Sequence, residues 1–267
     1  LTREVGSVVV AIGYDMLDPR ELREYGFGSH PDILTALEFE RLVNSAGPTG
    51  GEIIRPSDGR HPESILFVLC VGSRDRRFLR YCSRFCCMYS IKHAYQAIDH
   101  GVSDVTVLYM DVRAYGKGFD GFWTRTAEAG AKFVRGRPSR IASDGNGRIR
   151  VTYEATEEAR RVESEYDMVV LANAVRPPES LPRLARTLGL QTDQDGFLLA
   201  TESLGGLVTT TRPGIYAAGC ATGPKDIPDS VAEGSGAAAC ALSHLTARYD
   251  PVVPEVEPME GTEEARV

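Results

Sequence analysis

The sequence predicts an α/β protein with two nucleotide-binding, Rossmann-like domains, of which the first is only partly present. Strands and helices alternate as βαβαβ between residues 64 and 172, which is typical of a parallel sheet covered by helices. Apolar strands that end in glycine occur near both ends of the chain, at 5–13 and 214–219. A length of 267 residues leaves room for one large or two small domains.

Composition and charge exclude several classes of protein. The chain has 30 Lys and Arg against 37 Asp and Glu, a formal net charge of −7, which argues against binding of nucleic acid. No apolar run approaches the roughly 20 residues of a membrane span, and no signal peptide is visible. The chain begins Leu-Thr-Arg-Glu rather than Met, so we expect it to be a piece of something longer. We expect a reducing, cytoplasmic compartment.

The first 62 residues predict a strand, a helix and a connection. Val5 to Ile12 is an apolar run that ends at a glycine turn at Gly13. Residues 31–46 have apolar side chains spaced for one face of a helix. Residues 47–62 are rich in glycine and proline, and we interpret 16–59 as a connecting helix and loop.

Residues 60–175 predict an inserted Rossmann-like domain. Its expected elements, in order, are a strand at 64–69, a helix at 84–100, a strand at 104–110, a helix at 122–131, a strand at 131–134, a hairpin at 140–156 and a strand at 167–172. Residues 1–15 and 176–248 are then expected to form the partial domain, with a helix at 181–188, a strand at 214–219 and a helix at 230–245. The acidic, proline-rich tail at 249–267 predicts a disordered linker.

Four of the six cysteines are clustered with the spacing Cys70-x11-Cys82-x3-Cys86-Cys87. The first follows a buried strand and the other three lie near the start of the next helix, so their thiols can converge. An iron–sulfur cluster tolerates this irregular spacing, because a 4Fe–4S cubane offers four separate irons. Zinc prefers two C-x2–4-C pairs, and adjacent cysteines suit it poorly. Zinc, free thiols and a disulfide stay open as alternatives.

Several segments near these cysteines carry a family resemblance. They are 37–41 (Leu-Glu-Phe-Glu-Arg), 55–59 (Arg-Pro-Ser-Asp-Gly), 70–75, 81–92, 109–113 (Tyr-Met-Asp-Val-Arg) and 223–230 (Gly-Pro-Lys-Asp-Ile-Pro-Asp-Ser). With these motifs the chain resembles the A-type subunit of heterodisulfide reductase over most of residues 1–250. The resemblance implies a thioredoxin-reductase-like, FAD/NAD-linked fold with a 4Fe–4S cluster on the four cysteines.

The resemblance also implies FAD as a cofactor, although the Gly-rich FAD motif that opens such domains is not in this sequence. The segment 211–220 resembles the second FAD motif of two-domain reductases, with Cys220 where most relatives have Asp. We therefore predict flavin contacts at Gly13, Gly219, Cys220, Pro228, Asp229 and Ser230. The final helix is expected to open at Pro228-Asp-Ser230, with its free N–H groups facing the flavin.

Lys92 is the candidate catalytic residue. It lies five residues after Cys87 on the same predicted helix, about 7.5 Å further along its axis. A helix lysine is usually a solvated charge, but the resemblance implies that this one approaches the flavin N5 between flavin and cluster. A cation there would favour negative charge on the reduced flavin.

Other suggestive features predict little chemistry. The literal G-x-G-x-x-G at 116–121 follows the second strand of its domain rather than the first, so we interpret it as a flexible loop rather than a phosphate site. Cys240 is expected to be a buried helix residue. The five histidines show no ligand spacing.

The function that the resemblance implies is electron transfer between FAD and the cluster, by an oxidoreductase subunit in an anaerobic complex. We expect other subunits as partners, and a homodimer or larger assembly. One alternative is an NAD(P)H-dependent disulfide reductase, which the missing nucleotide turn and the lack of a C-x2-C or C-x4-C dithiol disfavour. The other is a non-enzymatic iron–sulfur or zinc module that docks partners.

Overall fold

The computed structural model describes residues 3–201 and 206–247, and a seven-stranded sheet forms its centre. The strands are β1 (Val8–Val10), β2 (Asp15–Met16), β3 (Ile33–Thr35), β4 (Ser64–Val71), β5 (Asp104–Tyr109), β6 (Lys132–Ser143), β7 (Ile149–Ala155), β8 (Arg160–Tyr166), β9 (Met168–Asn173), β10 (Val175–Arg176) and β11 (Ile215–Ala217). The helices are α1 (Ala36–Val43), α2 (Cys86–Asp99), α3 (Phe119–Glu128), α4 (Leu181–Leu188) and α5 (Ile227–Thr246). The sheet order is β3-β9-β4-β5-β6-β7-β8.

Strand β4 lies at the heart of this sheet, and all eight of its residues are buried. Its alternate side chains enter two separate cores, with Phe67 on one face and Val68 on the other. This two-sided burial is why the strand is a continuous apolar run in the sequence rather than an alternating one. Parallel pairing of β3, β9, β4, β5 and β6, with α2 and α3 as crossovers, gives the expected Rossmann-like unit.

A second unit joins the two ends of the chain. Strand β1 pairs in parallel with β11, with Val8 opposite Ile215 and Val10 opposite Ala217. Helices α4 and α5 pack against this pair through small apolar clusters. The short antiparallel pair of β2 and β10 lies between the two units in sequence. The sequence prediction of a Rossmann-like α/β fold is confirmed in this arrangement.

The structure corrects the prediction of one helix over 31–46. Ile33–Thr35 is a strand that pairs in parallel with β9, and the helix begins only at Ala36. Thr35 and Glu38 form a capping box, in which each side chain accepts a hydrogen bond from the other residue's backbone N–H. Because β3 belongs to the large sheet, residues 16–59 are more than a connection.

Two further differences concern the sheet and the last helix. Strand β8 was not predicted, and it extends the hairpin of β6 and β7 into a three-stranded antiparallel meander. Helix α5 begins at Ile227 with Asp226 as its N-cap, so the expected start at Pro228-Asp-Ser230 was wrong. The predicted tail at 249–267 lies outside the described residues. No described helix has the length and apolar character needed to span a membrane.

Candidate functional site

The four clustered cysteines lie where β4 ends and α2 begins. Cys70 is the last but one residue of the strand, Cys86 and Cys87 are the first two residues of the helix, and Cys82 is in the loop between. The Cys70, Cys86 and Cys87 side chains are buried, whereas Cys82 is half-buried. Cys70 has a φ of 58°, in the left-handed region that residues other than glycine rarely adopt. Such strain is typical of functional sites.

Three of the four thiols interact directly. Hydrogen bonding from the Cys86 thiol, together with the Arg74 guanidinium, lowers the pKa of Cys70 to about 7. The Cys86 thiol also lowers the pKa of Cys87, where the Arg113 backbone N–H adds to the effect. The pKa of Cys86 itself is raised, because it donates to two sulfurs and is buried. The surroundings therefore favour thiolates at Cys70 and Cys87.

Backbone and arginine groups surround these sulfurs. The Arg84 backbone N–H donates to Cys82 Sγ over 3.3 Å, and the first turn of α2 has no side-chain cap for its N–H groups. Arg74 is held beside Cys70 by an ion pair with Asp111. The Cys87 thiol contacts the carbonyl oxygen of Asp111 at 3.9 Å. The motif at 109–113 thus forms one wall of the cysteine site.

The donor set fits an iron–sulfur cluster better than a single metal ion. No group of three or more His, Cys, Asp or Glu side chains in residues 3–201 and 206–247 is arranged to hold one metal ion. A 4Fe–4S cluster instead distributes four thiolates over four irons, and the site supplies four cysteines with unused helix N–H groups and arginine charge nearby. Cys70, Cys82, Cys86 and Cys87 are the residues that would hold it.

A cavity of about 820 Å³ lies between the cysteine helix and the start of α5. Its walls are mostly aromatic and apolar, which suits a planar ring system. Of the predicted flavin contacts, the structure brings together Lys92, Cys220, Pro228 and Ser230 on these walls. Gly13, Gly219 and Asp229 are not lining residues, although each directly precedes or follows one in the chain.

The start of α5 differs from the expected row of free N–H groups. The Asp229 N–H donates to the Asp226 carboxylate over 3.0 Å, and the Ser230 N–H donates to the Asp226 carbonyl oxygen. Pro228 has no N–H to offer. The helix can therefore favour an anion at this end through its dipole and the Ile227 N–H, rather than through several donors.

Gly219 is also used differently from the prediction. Its φ of 64° is left-handed, which favours glycine, while a Cβ would meet only Ser230 at ordinary contact distance. Its N–H donates to the carboxylate of buried Glu233 over 2.9 Å. The other oxygen of Glu233 lies 3.4 Å from Lys225 Nζ, in a buried ion pair. Gly219 is therefore set by local backbone geometry, with Lys225 as a cavity-lining cation that sequence reasoning missed.

Arg84 links the cysteine loop to the domain of α5. Its guanidinium pairs with Asp229 and with the Tyr115 hydroxyl, and lies 5.4 Å from the centre of the Tyr115 ring. Its backbone has a φ of 64°, and its N–H is the donor to Cys82. One residue thus connects a cluster cysteine with both walls of the cavity mouth. In the sequence it is only one of five arginines near the cysteines, with nothing to distinguish it.

The fold and the site together define the class of protein. The structure resembles thioredoxin reductase from T. acidophilum with a TM-score of 0.59 at 15% identity, over 90% of this chain and 66% of that one. Thioredoxin reductase from Lactococcus lactis matches with a TM-score of 0.57 at 18% identity, over the same shares. The chain therefore has a thioredoxin-reductase-like fold of the FAD/NAD-linked type. No protein-family model matches it.

The curated relatives agree with the predicted resemblance, because they are A-type subunits of heterodisulfide reductases. The chain is 48% identical over 240 residues to that of the H2:CoB–CoM heterodisulfide,ferredoxin reductase of Methanothermobacter thermautotrophicus, which covers 88% of this chain and 36% of that protein. The second A-type iron–sulfur protein of the CoB–CoM heterodisulfide reductase of Methanopyrus kandleri is 43% identical over 95% of this chain and 40% of its own length. The chain thus spans 36 to 40% of the length of these two relatives.

Proposed function

We propose that the chain is an electron-transfer segment of a heterodisulfide-reductase-like oxidoreductase, and that it moves electrons between FAD and a 4Fe–4S cluster. The proposal follows the names of its relatives, which are reductase subunits described as iron–sulfur proteins or as acting with ferredoxin. It extends those names to the specific cofactors, to other subunits as partners, to a dimeric or larger assembly, and to an anaerobic, cytoplasmic setting.

The observation that carries the proposal is the position of the cysteines. In a Rossmann-like unit the turn between the first strand and the first helix holds the pyrophosphate of a dinucleotide. Here that turn joins β4 to α2, and it contains Cys70 to Cys87 instead of a glycine fingerprint. The literal glycine pattern at 116–121 lies one unit later, at the start of α3. The place for a nicotinamide cofactor is thus taken by a cysteine site.

The side chains divide the work between two neighbouring places. The cysteines, with Arg74 and the first turn of α2, would hold the cluster and balance its charge. Tyr14, Phe85 and Tyr89 give the cavity an apolar wall that excludes water from a bound ring. The two cofactors would supply the change from paired to single electrons.

A visible spectrum of the anaerobically isolated complex tests this function. We expect flavin absorption bands together with a broad iron–sulfur absorption, both of which bleach on reduction. Cluster absorption without flavin would contradict the FAD assignment. Neither absorption, with the complex intact, would contradict the electron-transfer function.

Replacing Lys92 with alanine is expected to lower the two-electron potential of the flavin in the complex. The Lys92 ammonium lines the cavity, and a cation near the flavin favours the negative charge gained on reduction. A loss equal to one pKa unit, about 1.4 kcal/mol, corresponds to roughly 30 mV for a two-electron couple. Spectroelectrochemical titration measures the change.

Lys132→Ala is the matched control for this substitution. Lys132 also forms an ion pair on the same domain, with Asp104 at 3.0 Å, but it does not line the cavity. Its loss should leave the flavin potential unchanged. Equal potentials in the wild type and the Lys92→Ala variant would contradict the proposed role of Lys92.

A further inference from the structure

Glu40 lies on the opposite side of Lys92 from the large cavity. It is on α1, and it lines a second cavity of about 470 Å³ together with His93. The side chains Tyr14, Phe85 and Tyr89 line both cavities and form the wall between them. Lys92 lines the first cavity, and its Nζ forms an ion pair with Glu40 Oε2. The ion pair therefore joins the two cavities across their shared wall.

The same carboxylate oxygen of Glu40 also bonds His93. The His93 ring is only 2% exposed, and Phe39, Phe67 and Tyr89 pack around it with ring centres 5.1 to 6.3 Å away. Burial lowers the pKa of His93 to about 4, so the ring is neutral near pH 7. Because a carboxylate only accepts, Nε2 of the neutral ring must carry the hydrogen.

The proton arrangement gives each of the three groups a distinct state. Burial works to raise the pKa of Glu40, but the hydrogen bonds from Lys92 and His93 lower it overall, so Glu40 is a carboxylate. His93 donates a neutral hydrogen bond to it, and Lys92 supplies the charge. The aromatic packing fixes His93, which in turn leaves Glu40 little freedom to rotate.

We infer that Glu40 and His93 are positioning residues, which hold the Lys92 ammonium in the wall of the large cavity. A lysine has a long stem with several free torsions, and a side chain that is 41% exposed would otherwise sample many rotamers. The ring clamp on His93 is passed through Glu40 Oε2 to Lys92 Nζ. This inference rests on the proposed function only for the identity of the molecule that occupies the large cavity.

Competitive acylation of lysines, read by mass spectrometry on the full chain without flavin, tests the inference. In the Glu40→Gln variant the Lys92 amine loses its anchoring charge, and we expect it to react about three- to fivefold faster. Glu40→Asp, which keeps the charge on a shorter stem, should give an intermediate rate. His93→Phe keeps a ring in the aromatic cluster but removes the donor, and it should also raise Lys92 reactivity although His93 does not pair with Lys92.

A second ion pair provides the internal control. Asp104→Asn should release Lys132 and leave Lys92 unchanged, whereas Glu40→Gln should release Lys92 and leave Lys132 unchanged. Unchanged Lys92 reactivity in Glu40→Gln and Glu40→Asp, with native circular dichroism, would overturn the role of Glu40. Unchanged reactivity in His93→Phe alone would overturn the role of His93.

The flavin potential separates this inference from the proposed function. In the FAD-containing complex, Glu40→Gln should shift the potential while Asp104→Asn should not. If acylation changes as expected but the complex binds no flavin, the proposed function fails and the positioning of Lys92 stands. If flavin binds and acylation does not change, the proposed function stands and the inference fails.

Discussion

Replacement of Cys87 by serine is expected to abolish the iron–sulfur cluster. The Cys87 side chain is buried, and its sulfur interacts with the Cys86 thiol and the Arg113 backbone N–H. A serine hydroxyl does not ionise under conditions that produce a thiolate, so one iron loses its protein ligand. We expect most of the iron, the sulfide and the broad visible absorption to disappear, as measured after anaerobic isolation.

Cys240→Ser is the matched control for this change. Cys240 is a half-buried residue of α5, and it packs beside small apolar side chains rather than beside the cysteine site. Its replacement should leave the iron and sulfide content at the wild-type level. A Cys87→Ser protein with full iron and sulfide content would contradict the ligand assignment.

Asp167→Asn is expected to cost about 2 to 4 kcal/mol of unfolding free energy, because it removes a buried charge with many partners. The Asp167 carboxylate accepts hydrogen bonds from the Glu63 N–H at 2.8 Å and from the N–H and hydroxyl of Ser64. It also pairs with Arg55 at 3.4 Å and Arg148 at 3.2 Å. These bonds join the first residues of β4 and β9, two central strands of the large sheet.

Denaturant unfolding measures this loss against Asp104→Asn. Asp104 pairs with Lys132 at 3.0 Å, but both side chains are largely exposed, so its replacement should cost less than about 1 kcal/mol. Equal stability of the two variants would show that Asp167 does not hold the sheet together. Arg55 also bonds Asp58, which gives the motif at 55–59 a structural role at the end of the sheet opposite the cysteines.

The sequence predicted the features that depend on local pattern. The buried run at 64–69, the helix that closes at Gly101 and the strand at 104–110 follow from apolar periodicity and glycine position, and the structure has all three. The position of the cysteines between β4 and α2 follows from the same pattern. Local signals were sufficient there because burial on both faces of β4 leaves a continuous apolar run.

The sequence could not predict features that depend on distant partners. Ile33 and Leu34 fit a helix face in the sequence, but pairing with β9 makes them a strand. Strand β8 is mostly charged and exposed, so it has little apolar alternation, and only its pairing with β7 defines it. Lys225 and Glu233 meet through the turn before α5, and Glu40 reaches Lys92 from another helix. No local spacing reports such contacts.

Analysis of iron, acid-labile sulfide and zinc in the anaerobically isolated protein tests the central claim most directly. The account predicts about four irons and about four sulfides for each chain, held by Cys70, Cys82, Cys86 and Cys87. One zinc per chain with no sulfide would contradict it, and would assign the β4–α2 cysteines to a structural metal site instead.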